Sequence, residues 1–84
     1  MSKKEKLTQR LLHKPSDFTF DELVTLLRSF GYYIEQAGKT SGSRIIFINK
    51  DGDYIRLHKP HPGNTLKLYQ IIDIIDKLKE KELL

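Results

Sequence analysis

The side chains best suited to chemistry are concentrated in Leu57–Lys67, which contains two of the three histidines and two of the three prolines. Histidine exchanges protons near neutral pH, so it can act as a general base or a general acid. Arginine adds a planar set of N–H donors that fits a phosphate or a carboxylate. The chemistry available to this chain therefore depends on where His58, His61 and Arg44 lie.

A metal centre is not expected. The chain has no cysteine, which excludes disulfides and thiolate ligands. His58 and His61 are three positions apart, but Asp51 and Asp53 belong to a different part of the chain, and no nearby carboxylate completes a ligand set. We expect neither a metal nor another cofactor.

The composition predicts one soluble domain. The 84 residues are 38% hydrophobic and 31% charged, and no apolar run is long enough to cross a membrane. The charged N-terminus is not followed by the apolar core of a signal peptide, so we expect a single domain, 1–84, in the cytoplasm. A net charge of +4 favours polyanionic partners, provided that the basic residues cluster.

Two helices are predicted in the first third of the chain. Leucines at helical spacing predict a short amphipathic helix over 3–14, which Pro15 ends. Thr19 and Glu22 form a capping-box pattern at the start of a second helix, Phe20–Phe30. Gly31 supplies the residue with positive φ that commonly ends a helix.

The middle of the chain predicts strands. Tyr32–Ala37 is rich in β-branched and aromatic residues, and Gly38–Ser43 is expected to be a loop. The segment Arg44–His58 predicts a hairpin, with a type I turn and a glycine bulge at Asn49–Gly52. This turn places Phe47 opposite Ile55 and Ile45 opposite Leu57 on the core face. The other face then carries the pairs Arg44 with His58, Ile46 with Arg56, and Ile48 with Tyr54.

The last element is a predicted helix. Apolar residues repeat at helical spacing along Leu68–Leu84, and they form a stripe of Leu68, Ile71, Ile72, Ile75 and Leu78. The predicted order is α-α-β-β-β-α, an α+β fold in which the helices cover one face of a three-stranded antiparallel sheet.

Two quoted segments support a resemblance to a known family. "GSRIIF" (Gly42–Phe47) before the hairpin and "RLHKPHPGNTLK" (Arg56–Lys67) before the last helix resemble the HicA family of bacterial toxins, over Asp21–Leu78. The resemblance implies a fold like that of double-stranded-RNA-binding domains, an mRNA interferase activity and a HicB antitoxin partner. It also implies that the first helix is an extension, and that Arg44 occupies the position of the family's catalytic histidine.

With an arginine at position 44, the candidate general base is His58. An arginine does not act as a general base near neutral pH. Metal-independent RNA cleavage needs a base for the 2′-hydroxyl proton, an acid for the leaving oxygen and a cation for the phosphate. We expect His58 to supply imidazole chemistry and Arg44 to hold the phosphate. The alternative is that His58 ends a strand and bonds only to water or backbone.

The remaining candidates concern binding. Residues expected to contact RNA have basic or polar side chains near the loop end of the sheet, namely Lys39, Ser43, Arg44, Arg56, Lys59, His61, Asn64 and Lys67. Ile46, Ile48 and Tyr54 are expected to contact a protein partner, because no helix of this chain covers that face. For this sheet face, the alternatives are an ordinary solvated surface or a homodimer contact. For the function of the chain, the alternatives are a noncatalytic RNA-binding module or a protein-interaction domain.

Overall fold

The structure, a computed structural model, describes residues 2–35, 44–60 and 63–84. It has three helices and one antiparallel sheet with strand order β1-β2-β3, which confirms the predicted α-α-β-β-β-α fold. Within these ranges no helix has the length and apolarity needed to span a bilayer. The elements are α1 Lys3–Leu12, α2 Phe20–Ser29, β1 Tyr33–Ile34, β2 Arg44–Ile48, β3 Tyr54–His58 and α3 Leu68–Glu80.

The helix starts follow the capping signals in the sequence. Thr19 Oγ1 accepts a hydrogen bond from the Glu22 backbone N–H at 3.2 Å, and Glu22 Oε1 accepts one from the Thr19 N–H at 3.0 Å. Both halves of the predicted capping box are thus present. Gly31 has φ +91° just after α2, as expected for a helix-ending residue. The first helix ends earlier than predicted, at Leu12.

The hairpin register is confirmed. The Asn49 N–H donates to the Asp53 carbonyl at 3.0 Å, and Gly52 has φ +85° in the turn. All five predicted cross-strand pairs occur, from Ile48 opposite Tyr54 to Arg44 opposite His58. The turn chemistry therefore determines which side chains share a face.

The hydrophobic core lies between the helices and one face of the sheet. Phe47 and Ile55 are fully buried and Leu57 is buried, whereas their neighbours along each strand are exposed or half-buried. All three helices contribute to this single cluster. The core therefore uses every second residue of β2 and β3, as expected for a sheet covered on one side.

The core-facing side of α3 differs from the predicted stripe. Leu68 and Ile72 are exposed at 57% and 39%, whereas Ile74 is fully buried and Gln70 is buried at 5%. The helix also ends at Glu80, and the residues that follow turn back toward the core. The prediction that Leu68 and Ile72 face the core was wrong, because the position of α3 against the sheet edge determines which side of the helix is buried.

Side chains of α3, and of Lys81 directly after it, lie along the open edge of β3. Gln70 Nε2 donates to the His58 carbonyl at 2.7 Å, and Lys77 Nζ lies 3.5 Å from the Arg56 carbonyl. Further along, Lys81 Nζ pairs with Asp53 at 2.9 Å. These contacts occupy polar groups of an edge strand that would otherwise be available to another chain.

Candidate nucleic-acid interface

The sheet face opposite the core is not covered by any described helix. Strand alternation places every second residue of β2 and β3 there, and β1 extends the face because Tyr33 pairs with Ile48 and the Glu35 N–H donates to the Ile46 carbonyl at 2.8 Å. We call this surface the outer face. Its residues are Tyr33, Glu35, Arg44, Ile46, Ile48, Tyr54, Arg56 and His58.

The Arg44–His58 pair lies at the end of the hairpin away from the turn. Hydrogen-bonded pairs alternate along an antiparallel ladder, and the Asn49–Asp53 pair is bonded, so Arg44–His58 is a non-bonded pair. The Cα atoms of such pairs are only about 4.5 Å apart. Arg44, Arg56, Leu57 and His58 line a cleft of about 230 Å³. An imidazole and two guanidinium groups therefore border one small, open site.

Neither guanidinium group of this site forms an ion pair with a described carboxylate. In the described parts of the chain the ion pairs involve Arg10, Lys77 and Lys81, and neither Arg44 nor Arg56 belongs to one. The residues outside those ranges contain no Asp or Glu. Two adjacent guanidinium groups that form no ion pair with a described carboxylate have the charge and the donor geometry that suit a phosphate.

Arg56 is held against an aromatic ring. Its guanidinium carbon lies 5.3 Å from the centre of the Tyr54 ring, and Nη2 donates to Tyr54 Oη at 3.2 Å. This hydrogen bond and the guanidinium charge lower the pKa of Tyr54. The two side chains form one cationic-aromatic wall of the outer face.

A buried glutamine supports the end of β3. Gln70 Oε1 accepts from the Lys67 N–H at 3.0 Å, while its Nε2 donates to the His58 carbonyl at 2.7 Å. Gln70 was not among the residues predicted to belong to the site. Its spacing could have identified it, because Gln70 precedes Ile74 by four residues and Leu78 by eight. This spacing places a polar side chain on the same, buried side of α3.

Several predicted RNA contacts lie away from the outer face. The Lys59 ammonium is over the Phe20 ring, 5.7 Å from its centre. The Asn64 amide donates to Asp21 Oδ2 at 3.3 Å, and the Asn64 carbonyl accepts from the Phe20 N–H, which joins the loop to the start of α2. Lys67 directly precedes α3.

The outer face brings together only part of the predicted site. Arg44, Arg56 and His58 lie on it, with the predicted partner contacts Ile46, Ile48 and Tyr54 beside them. Three of the predicted RNA contacts fall outside the described residues, namely Lys39, Ser43 and His61.

Comparison with models of protein families gives a match. A family model described as the HicA toxin of bacterial toxin-antitoxin matches residues 20–80. The matched range runs from the first residue of α2 to the last residue of α3. Neither the curated proteins nor the solved structures include a significant match.

Proposed function

Since this chain belongs to the HicA family of bacterial toxins, we propose that it is an RNA-binding toxin that cleaves mRNA on its outer face and is held inactive by a HicB-like antitoxin. The observation that carries the proposal is the close pairing of His58 with Arg44 on a sheet face where, among the described residues, neither arginine forms an ion pair. This arrangement suits RNA, because the guanidinium can bind a phosphate while the imidazole can accept a proton from the ribose.

The proposed reaction is a metal-independent transesterification. His58 removes the proton of a ribose 2′-hydroxyl, and the 2′-oxygen attacks the adjacent phosphorus. The bond to the 5′-oxygen breaks, and that oxygen takes a proton from water in the open cleft. The products are a 2′,3′-cyclic phosphate and a 5′-hydroxyl.

Arg44 has a supporting role in this scheme. Its guanidinium donates hydrogen bonds to the non-bridging oxygens, where negative charge accumulates in the transition state. It does not remove a proton, because arginine remains protonated in proteins. The position of the family's catalytic histidine would thus hold a phosphate-binding group, while the imidazole lies on the facing strand.

The antitoxin is proposed to cover the same face. Ile46 and Ile48 are half-buried and Tyr54 is 49% exposed, so they form an apolar surface beside the two arginines. Exposed apolar residues next to polar ones are typical of protein contacts. An antitoxin seated there would exclude RNA directly. The same residues could form a homodimer contact, which sedimentation of the isolated chain distinguishes from a monomer.

The direct test is cleavage of single-stranded RNA in the presence of a chelator. The wild-type chain is expected to produce 2′,3′-cyclic phosphate ends, and His58→Ala is expected to lose most of this activity. His13→Ala is the matched control, because His13 is an exposed histidine at the end of α1. Unchanged cleavage by His58→Ala would exclude His58 as the base.

A second candidate function is an RNA-binding module without nuclease activity. The observation that favours it is Arg44, which occupies the position where the family pattern has a histidine. Salt-dependent RNA binding without any cleavage would support this function. The absence of salt-dependent RNA binding would instead favour a protein-interaction domain.

A further inference from the structure

A second cleft on the outer face has a composition unlike that of the Arg44–His58 cleft. It has a volume of about 250 Å³, and its lining combines a carboxylate, two guanidinium groups, an aromatic ring and an aliphatic floor, supplied by Glu35, Arg44, Ile46, Ile48, Tyr54 and Arg56. All of these residues lie within the described strands or directly beside them. We infer that this cleft is a nucleobase subsite that prefers guanine, with Glu35 as the residue that determines the preference.

The geometry of the sheet places Glu35 and Arg56 on opposite sides of this cleft. Glu35 pairs with Ile46, and Ile46 pairs with Arg56, so the three side chains form one row across three strands. Adjacent strands are about 4.8 Å apart, which separates the backbones of Glu35 and Arg56 by roughly 10 Å. A flat ring lying over Ile46 would have the carboxylate at one edge and the guanidinium at the other.

The apolar and aromatic groups account for binding of a base. Ile46 and Ile48 provide the floor, and the Tyr54–Arg56 wall provides a flat surface for stacking. Unstacked bases of single-stranded RNA bind on aromatic rings and on guanidinium planes. Every base can stack, so stacking contributes to affinity but does not distinguish one base from another.

The Glu35 carboxylate accounts for the preference for guanine. An ionised carboxylate only accepts hydrogen bonds, and it has two oxygens that accept side by side. Guanine presents two neighbouring donors on its Watson–Crick edge, the ring N1–H and the N2 amino group. Adenine and cytosine each offer an amino donor next to a ring acceptor, and uracil offers a single N–H between two carbonyls. Only guanine satisfies both oxygens of Glu35 at once.

The subsite is close to the proposed reaction site. The Glu35–Ile46–Arg56 row and the Arg44–His58 row are two residues apart along β2 and β3, which is about 7 Å on one face of a sheet. This is within reach of a phosphate and the base of an attached nucleoside. Because Arg44 lines both clefts, an RNA strand can place its phosphate at Arg44 and its base over Ile46. This inference therefore deepens the proposed function, on which it rests.

The test is the binding of the four nucleoside 3′-monophosphates to the whole chain, measured by calorimetry. We expect guanosine 3′-monophosphate to bind at least about tenfold more tightly than the uridine compound, the range that a bidentate base contact provides. Glu35→Gln should remove most of this preference, since an amide replaces one acceptor by a donor. Glu80→Gln is the control, because Glu80 is an exposed carboxylate at the end of α3.

Binding and cleavage give separate results. Guanine preference that depends on Glu35 in a chain without nuclease activity would support the subsite and refute the cleavage proposal. Cleavage that persists with equal binding of all four nucleotides, or with a guanine preference unchanged in Glu35→Gln, would refute the subsite and leave the cleavage proposal intact. Absence of nucleotide binding at millimolar concentration, with binding only of a protein partner on this face, would also refute it.

Discussion

The two faces of the β2–β3 hairpin are formed by alternating residues of the same two strands and have opposite properties. The inner face consists of Ile45, Phe47, Ile55 and Leu57, which are buried or half-buried under three helices. The outer face carries two arginines, a histidine and exposed apolar groups. The comparison indicates that strand alternation separates the residues that stabilise the fold from those available to a ligand, so each set can be altered without the other.

The largest difference between the faces is expected in stability. Phe47→Ala should lower the free energy of unfolding by about 3–5 kcal/mol, because it removes a fully buried ring. Ile46→Ala, on the next residue, should cost about 1 kcal/mol or less, because its side chain already contacts water. Urea denaturation measures both.

A milder inner-face variant keeps this test informative if Phe47→Ala does not fold. Ile55→Val should cost about 1 kcal/mol at a fully buried site. Equal losses from inner-face and outer-face variants would contradict the assignment of the two faces.

Gln70 is buried on α3 and bonds to the backbone of His58, which lies on the outer face. We therefore expect Gln70 to affect both the stability of the fold and the activity of the outer face. Gln70→Met keeps the size of the side chain but removes the hydrogen bonds to the Lys67 N–H and the His58 carbonyl, at a cost of about 1–2 kcal/mol. RNA cleavage should fall as well, since the strand end that carries His58 loses its support. Gln9→Met, the same substitution at an exposed position of α1, should change neither stability nor cleavage.

RNA affinity should depend on the outer face and not on charge alone. Arg44→Ala should weaken binding of single-stranded RNA about tenfold and reduce the slope of log affinity against log salt by about 0.7, the value for one phosphate contact. Arg28→Ala removes the same charge from an exposed position on α2. Equal losses in the two variants would mean that net charge, and not the outer face, determines RNA binding.

The smallest expected effect concerns the hydrogen bond that joins Tyr32 to the hairpin turn. Tyr32 Oη donates to Asp53 Oδ2 at 2.5 Å, and burial together with this bond raises the pKa of Tyr32 to about 12. A pKa that is higher in the folded state adds stability that is present below pH 10 and is lost between pH 10 and about 12. Tyr32→Phe should cost about 1 kcal/mol at neutral pH and remove this alkaline loss.

The control for this pH dependence is Tyr69→Phe. Tyr69 is 66% exposed, so its hydroxyl is in contact with solvent. Its variant should lose stability with rising pH in the same way as the wild-type chain. An unchanged alkaline profile in Tyr32→Phe would show that the Tyr32–Asp53 hydrogen bond does not link folding to pH.

The hairpin was predictable because its information is local. Asn49 and Gly52 define the turn, and the turn defines the register, so the opposition of Arg44 and His58 followed from the sequence. The capping box of Thr19 and Glu22 was predictable for the same reason.

The errors and omissions concern contacts between distant elements. Leu68 and Ile72 fit a helical stripe as well as Ile74 does, and only the path of α3 along β3 decides which of them is buried. Glu35 was not predicted to lie on the outer face, because its position there depends on how β1 pairs with β2. Local spacing does not contain that information.

Binding of RNA on the outer face is tested most directly by methyl NMR. Isoleucines lie on both sides of the sheet, so one labelled sample reports on both: Ile46 and Ile48 face outward, whereas Ile55 and Ile74 are fully buried. Titration with a single-stranded RNA whose 2′-hydroxyls are methylated prevents cleavage and retains the phosphates. We predict that the methyl signals of Ile46 and Ile48 shift while those of Ile55 and Ile74 remain unchanged. Shifts confined to other methyl groups, such as that of Ile72 on α3, would contradict the account.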